Sequence, residues 1–469
     1  MHGTRSTPVL LVVFLALGAY VYFVELERPP ASETPPNEQL FEWEADAITG
    51  LTIDSGGETT VLSRTADGDG WQVTAPVSAA ADETQISSIT SALESLEVPR
   101  VISDAAPDLA PFGLVSPEVE VGISVSGDSQ GGRLLIGDAT PTGGERYAKL
   151  ADSDRVFLVA SYLNTTLGRS TFDLRDKTIL SFENSDVEQF EIDSDRSMRF
   201  TKDQNEWRMV EPWSVRADFS TVEGTVGRLG SGQMRSIATE GPDESEPEED
   251  PLAMYGLTEP RLSATVRLGS ASATLLVGNA TADGTYYAKD SSRPVIFTVD
   301  STLVDDLGRD SGEYRTKGLF DFRPFNAARV EIERTDETIV FEKSDGDSDD
   351  GEESWTRVGS GSAAIDRSKM DDFLSALSGL SADSFVESRN DEDLGADNVL
   401  ATIRVQFGTT SQDGDETEEE QVTLWRTEDA TYGVHGDEPG AAIVETQSVD
   451  GALDALEALE AEAQDEDEP

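Results

Sequence analysis

"YAKLADSDRVFLVASYLNTTLGRSTFDLRDKTILSF" occupies residues 147–182, and "YAKDSSRPVIFTVDSTLVDDLGRDSGEYRTKGLFDF" occupies residues 287–322. The two stretches align without a gap at a constant offset of 140, and thirteen of their 36 positions are identical. A period of this length exceeds that of a solenoid of small repeats and is typical of whole domains in series. The chain is therefore predicted to repeat one fold of about 140 residues.

A third, weaker copy follows the first two. Strand-like openings recur as "ITGLTID", "VEQFEID" and "AARVEIE", and each precedes a strand that contains a tryptophan. These tryptophans are Trp71, Trp207 and Trp355. Because they hold equivalent strand positions, we interpret them as core residues. The third copy lacks the Tyr-Ala-Lys stretch and has "ATYGVHG" in its place.

An aspartate stands eleven residues after each tryptophan, at Asp82, Asp218 and Asp366. Beyond each aspartate the spacing of apolar residues changes from two to three and four, which indicates an amphipathic helix. A carboxylate at this position accepts hydrogen bonds from the unpaired N–H groups of the first helical turn. We therefore predict three helix N-caps, since a catalytic aspartate would need a partner and none is visible in the sequence.

The order of elements predicts an α+β fold. Each copy reads as strands, a helix, several more strands and a short helix, and alternating stretches such as "VEVGISV" are typical of antiparallel sheet. We expect an N-terminal transmembrane helix followed by three tandem repeated domains of antiparallel sheet with packed helices. The predicted boundaries are 47–186, 187–326 and a degenerate 327–460, with an acidic tail at 461–469.

The glycine-rich stretch "LLIGDATPTGGERYAKL", residues 134–150, poses the question of a phosphate-binding loop. A P-loop requires the lysine directly after the last glycine and a helix behind it, whereas here another strand follows. The second copy is one residue shorter in this loop, which a hairpin tolerates easily. We predict a turn, and a possible surface groove lined by Tyr147 and Lys149 and by their counterparts Tyr287 and Lys289.

The charge balance excludes one class of function. The chain has 93 acidic residues against 35 Lys plus Arg, for a net charge of −58. A field of this sign repels nucleic acid, so we expect no nucleic-acid partner. The absence of cysteine excludes disulfides and thiolate metal sites.

The N-terminus is predicted to contain a membrane anchor. Residues 8–24 are uncharged and mostly apolar, and at helical rise they reach the short end of what crosses a bilayer. We therefore expect a cytoplasmic stub and anchor at 1–24, a Pro-rich linker at 25–46 and an extracytoplasmic remainder. A cleaved signal peptide is the alternative, although its apolar core would be unusually long.

The sequence predicts no catalytic, cofactor-binding or metal-binding residue. Its two histidines are His2, before the anchor, and His435, which we interpret as a turn residue. The acidic run at 344–353 fails as an EF-hand loop because Asp350 and Thr356 replace the required Gly and Glu. Acidic runs here, at 240–250 and at 411–420 are interpreted as solvated loops, with weak cation binding as the alternative.

The motifs "WQVTAP", "FGL", "LLIG", "YAK" and "LRDKTILSF" together resemble the bacterial domain-of-unknown-function 4340 family. The resemblance covers most of residues 47–325 and implies a single-pass envelope protein. Members are often encoded beside ABC-transporter components related to gliding-motility auxiliary systems. The family has no agreed catalytic residues, so the resemblance transfers none to this chain.

Two functions are consistent with these patterns. The first is a membrane-tethered scaffold or accessory protein that acts through protein–protein contacts, with an ABC-type transport or envelope assembly as the candidate partner. The alternative is a binding module or hydrolase for an envelope polymer or small ligand, with its groove near Tyr147 and Tyr287. The residues identify no reaction, which favours a non-enzymatic role.

Overall fold

The computed structural model describes residues 38–68, 70–127, 131–241, 251–344, 354–359, 365–386, 398–411, 414–436 and 438–465. The chain forms two compact units, Met1–Lys177 and Thr178–Pro469. The first unit contains one large antiparallel sheet and the second contains two. The predicted anchor at 8–24 lies outside the described residues, and within the described part no helix is long and apolar enough to cross a membrane.

The sheet of the first unit has nine strands. If the strands are numbered in chain order, their spatial order is 4-3-2-1-6-7-8-9-5. Strands 1 to 4 therefore run in order to one edge of the sheet. The chain then crosses to the opposite edge, where it forms strand 5, and strands 6 to 9 fill the space between strand 1 and strand 5. The strands are Ile48–Ser55, Glu58–Arg64, Trp71–Ala75, Ala79–Ala80, Arg100–Ser103, Val119–Val125, Gly132–Ala139, Glu145–Leu150 and Val156–Ala160.

The second sheet repeats this strand order without change. Its nine strands are Gln189–Asp193, Met198–Asp203, Glu206–Glu211, Val215–Arg216, Ser236–Thr239, Leu262–Leu268, Ala271–Ala280, Tyr286–Asp290 and Ile296–Val299. The repeat that the aligned sequences predict is thus present in the topology of the sheets as well.

The third sheet keeps the same order over its eight described strands, which lack only the counterpart of strand 4. They are Ala327–Glu333, Thr338–Ser344, Ser354–Arg357, Ala382–Val386, Val399–Ser411, Gly414–Arg426, Thr431–His435 and Ala441–Val444. The "ATYGVHG" stretch therefore forms the strand that Tyr-Ala-Lys forms in the other copies. The architecture is α+β, as predicted.

A helix carries the chain across one face of each sheet between the two edges. These helices are Glu83–Glu94, Phe219–Ser231 and Arg367–Ser378. In the first of them Ile86, Ile89 and Leu93 are fully buried and join the core of the sheet. Complete burial of one such side chain contributes about 1.5–3 kcal/mol. The third sheet has a further helix on this face, Thr446–Asp465, which adds Leu456 and Leu459 to the core.

The three predicted cap aspartates precede these helices. The carboxylate of Asp82 accepts hydrogen bonds from the N–H groups of Thr84 and Gln85. Asp218 accepts one from Thr221, and Asp366 accepts from Ser368 and Lys369. The shorter helices are Tyr162–Leu167, Thr171–Leu174, Pro251–Met254 and Ser301–Leu307, with 3-10 turns at Ala45–Ala47, Ala110–Phe112, Asn184–Asp186 and Ser311–Tyr314. The tryptophans Trp71, Trp207 and Trp355 are buried in the cores, as predicted.

A short segment precedes each sheet and packs against the residues that connect the helix to the next strand of that sheet. We call residues 38–47, 178–186 and 318–326 the docking segments. The N–H groups of Leu40, Ile179 and Leu319 donate to the carbonyls of Leu96, Gly232 and Leu380, one pair in each copy. The residues that open the docking segments therefore pack with the sheet that follows them. The predicted domain boundaries at 47, 187 and 327 stay predictions.

Two expectations for the third copy are wrong. Residues 414–420 were expected in a solvated loop but belong to the strand Gly414–Arg426, which pairs along Val399–Ser411. Backbone pairing satisfies the N–H and C=O groups of a hairpin without requiring apolar side chains, so an acidic sequence can continue the strands. His435 ends the strand Thr431–His435 and is not a turn residue. The acidic residues 345–353 and 242–250 lie outside the described part of the chain.

Candidate functional site

The predicted groove residues of the first copy make contacts within their own unit. The ring of Tyr147 packs on that of Phe112, with 5.0 Å between the ring centroids. Lys149 is buried, and its Nζ donates to the carbonyl oxygen of Ala151 at 3.3 Å. Both side chains thus fasten the strand Glu145–Leu150 to adjacent turns.

The second copy repeats this arrangement. Tyr287 packs edge-on against Tyr255, with ring centroids 4.8 Å apart. The Nζ of Lys289 donates to the carbonyl oxygens of Asp290 and Ser291 at 3.0 and 3.3 Å. The predicted groove stays a prediction, and the contacts of these residues account for the Tyr-Ala-Lys stretch as local packing.

The glycine-rich loop of residues 134–150 is a hairpin turn, as predicted. The N–H of Thr140 donates to the carbonyl oxygen of Glu145, and Gly143 has a φ of +75°. Gly137 has a different task, since a Cβ there would meet the carbonyl oxygen of Phe112 at 2.2 Å. The turn around Phe112 therefore lies directly on the strand, and Gly278 permits the same approach of Tyr255 in the second copy.

A cluster of charged side chains lies where the second and third sheets meet, inside the second compact unit. Arg216 ends the strand Val215–Arg216 and is the link between the two sheets. Its Nη1 donates to Asp321 at 2.7 Å, and its Nε and its backbone N–H donate to Glu438 at 3.3 and 2.8 Å. One side chain of the second sheet is thus bound by two acidic residues, one in the segment that precedes the third sheet and one in the third copy.

Arg315 is the buried member of this cluster. It is 5% exposed, its guanidinium lies 4.1 Å from the centroid of the Phe385 ring, and its Nη2 lies 3.6 Å from a carboxylate oxygen of Glu438. Burial lowers the pKa of Arg315, and the negative charge of Glu438 opposes that effect. An arginine remains protonated in proteins, so Glu438 is the counter-charge of Arg315.

Two carboxylates and an imidazole converge beside Arg216. Buried Glu420 accepts hydrogen bonds from the backbone N–H groups of Asp321 and Phe322 at 2.8 and 3.0 Å. The Nε2 of His435 lies 3.6 Å from a carboxylate oxygen of Glu420. One ligand atom from each of Asp321, Glu420 and His435 lies within 4.8 Å of the others. Among the described residues this is the group that could hold a metal ion.

Two adjoining cavities share the lining residues Arg196, Trp213, Asp310 and Ser311, and the smaller of them reaches the junction. Their volumes are about 330 and 560 Å³. The smaller one extends to Phe385 of the third sheet, and the larger one extends to Met198 of the second. The junction thus offers an aromatic side chain with charged neighbours in a space large enough for a small ligand.

Comparison with known proteins identifies the family. A family model described as "Domain of unknown function (DUF4340)" matches residues 71–206 and 207–399, which is most of the chain. The chain belongs to the DUF4340 family. No curated protein and no solved structure matches it. The family description assigns no reaction, so the site of this DUF4340 chain is argued from its own residues.

The junction of this DUF4340 chain was missed by sequence reasoning because its residues come from distant positions. His435 pairs with Val422 on the neighbouring strand. The equivalent pair in the first copy is Leu150 and Leu134, so the histidine stands where the first copy has Leu150. The sequence signal for a site here is a histidine at a strand position, in a chain that has two histidines. The third copy was interpreted as degenerate, and its departures from the repeat were not read as a site.

Proposed function

We propose that this DUF4340 protein is a membrane-tethered, extracytoplasmic accessory protein that acts through protein–protein contacts. Residues 8–24 would be the tether, with the N-terminus in the cytoplasm, and an ABC-type transport or envelope assembly would be the partner. The observation that carries the proposal is the pairing of charged side chains at the junction of the second and third sheets. Arg216, Arg315 and Glu438 join two sheets through ion pairs with one another.

The energetics of the junction favour a structural role for its charged side chains. Removal of one partner from a buried ion pair typically costs about 3–5 kcal/mol, because the remaining charge is left in a medium of low dielectric. Arg315 is in this situation, since Glu438 is its counter-charge. A pair of sheets held in this way is a stable surface on which a partner could bind without rearrangement of the sheets.

Exposed apolar side chains give the partner places to bind. Tyr162 is 59% exposed in the first unit, and Met254 and Phe325 are 70% and 79% exposed in the second. Large apolar side chains at the surface are enriched where proteins bind one another. We expect contacts at one or more of these three positions.

The test is site-specific photo-crosslinking of the full-length protein in its native membrane. A photoreactive residue replaces Tyr162, Met254 or Phe325, and matched positions at exposed acids such as Asp336 and Asp429 are the controls. We expect an adduct with an integral membrane subunit at one apolar position and none at the controls. Adducts at every position alike, or no protein adduct at all, would overturn the proposal.

A second candidate is a binding module for an envelope polymer or small ligand. The cavities beside Trp213 favour it, because an indole with Arg196 and Asp310 nearby can stack on a sugar ring and hydrogen-bond its hydroxyls. The signature of such a module would be quenching of tryptophan fluorescence by soluble envelope oligosaccharides. Loss of that quenching in Trp213→Phe, with Trp425→Phe as the control, would favour this candidate over the first.

A further inference from the structure

We propose that Asp321, Glu420 and His435 form a binding site for a divalent metal ion of the zinc class. Zinc binds imidazole nitrogen and carboxylate oxygen at about 2.0–2.2 Å, so two ligands of one ion stand roughly 3.4 Å apart in a tetrahedral site. The 3.6 Å between His435 Nε2 and Glu420 Oε2 matches that separation. It is too long for a good hydrogen bond between the two groups.

The state of the imidazole is the second observation. The Nε2 of His435 is buried and has no hydrogen-bond partner among the described residues. A buried nitrogen without a partner has lost its hydrogen bonds to water and gained none in return. A metal ion held by Nε2 and the two carboxylates would give that nitrogen a partner, and the three ligand atoms lie within 4.8 Å of one another.

The ligand types select the class of metal. Imidazole nitrogen favours zinc and related transition metals, whereas magnesium and calcium prefer all-oxygen sites. Three protein ligands leave a fourth position for water, which is the composition of an open zinc site. Two carboxylates balance the charge of a divalent ion, and Arg216 pairs with one oxygen of Asp321 and would orient it from outside.

The position of the site gives the ion a structural consequence. Asp321 belongs to the third docking segment, while Glu420 and His435 lie on neighbouring strands of the third sheet. Glu420 already holds the segment through two backbone N–H groups. A bound ion would add a second link between the segment and the sheet. This inference is independent of the proposed partner.

The experiment uses the full chain, stripped with a chelator and titrated with Zn²⁺ in competition with a chromophoric chelator. We expect one tight site per chain above the weak binding of an acidic surface. His435→Gln and Asp321→Asn should each weaken that site at least about tenfold. Asp429→Asn is the matched control, because it removes the same charge from the exposed turn of the same hairpin and should leave the tight site unchanged.

Substitution with Co²⁺ gives an independent readout. We expect the intense visible absorption of four- or five-coordinate cobalt, and we expect its loss in His435→Gln. Circular dichroism checks the fold of each variant, and if His435→Gln fails to fold, Asp321→Asn at its exposed position decides. Binding that is weak, multiple and equal in all variants, or an unchanged six-coordinate cobalt spectrum, would overturn the proposal.

Discussion

Single residues set the closest contacts of this fold. Gly137 and Gly278 stand where the backbone of a preceding turn lies on the strand, and any side chain there would collide with a carbonyl oxygen. In the third sheet the corresponding position, opposite Tyr432, is Trp425. The copies therefore share their strand order while differing in the residue at this strand position.

Gly137→Ala tests this contact. The added Cβ would lie 2.2 Å from the Phe112 oxygen, so the turn must move, and we expect a loss of about 1–3 kcal/mol in local stability. Hydrogen exchange of the full chain, followed by mass spectrometry over residues 132–150, measures it. Gly144→Ala is the control, since no atom lies within 4 Å of its Cβ. Equal protection in both variants would contradict the account.

The buried hydroxyl of Tyr314 leads us to expect a change in stability at high pH. Burial raises the pKa of its hydroxyl to about 12, and the hydroxyl donates to the carbonyl oxygen of Asp306. The unfolded chain releases this proton near pH 10, while the folded chain retains it to about pH 12. The contribution of Tyr314 to stability is therefore complete below pH 10 and is lost as the pH rises toward 12.

Ultraviolet titration of tyrosinate measures that pKa. We expect a late ionisation step near pH 12, and we expect Tyr314→Phe to remove it. Tyr162→Phe is the control, because Tyr162 is 59% exposed and its substitution should leave the late step of Tyr314 in place. A late step that persists in Tyr314→Phe would refute the assignment.

Elements are joined in this protein by the docking segments, and the means differ from copy to copy. Arg155 binds Glu38 in the first copy, and Arg293 donates to the carbonyls of Thr178 and Ile179 in the second. In the third copy Glu420 accepts from the segment. The position of the segment is thus common to all copies, whereas the polar group that holds it is particular to each.

The cap of the helix Phe219–Ser231 is testable at this scale. Asp218→Ala removes the acceptor for the N–H of Thr221 and should destabilise the helix by about 1 kcal/mol. Asp218→Asn retains an acceptor and should cost much less. Hydrogen exchange of the amides of residues 219–231 measures both variants, and an equal effect of Ala and Asn would show that the cap bond is unimportant.

The junction of the second and third sheets predicts a larger effect. Glu438→Gln leaves Arg315 without its counter-charge and beside Arg216, and we expect a loss of about 3 kcal/mol from the second unit. Glu313→Gln is the control, since Glu313 is exposed on the neighbouring turn. Urea denaturation of the full chain measures the loss. A midpoint unchanged by Glu438→Gln would mean that the pair carries no net stability.

The sequence predicts the elements of this fold well and its joints poorly. Trp71, the aspartate caps and the hairpin at residues 134–150 follow from local spacing, and spacing is a property that a sequence displays directly. The junction depends on Arg216, Asp321 and His435, which are separated by about a hundred residues each. Nothing local marks such a set, because two strands and a docking segment from different parts of the chain bring it together.

At the scale of the whole molecule, the number of repeated copies differs from the number of compact units. Three copies of one topology form two units, with the first copy alone and the second and third together. The junction explains why the second and third copies form one unit, since Arg216 and Arg315 of the second copy share Glu438 of the third. The central claim of this account is that these two copies unfold as one body.

Native-state hydrogen exchange of the full chain, read by mass spectrometry under conditions of correlated opening, tests that claim most directly. The account predicts that peptides of the second and third copies open together, apart from those of residues 38–177, and that Glu438→Gln separates them. Three openings at three different free energies in the unsubstituted chain would contradict it.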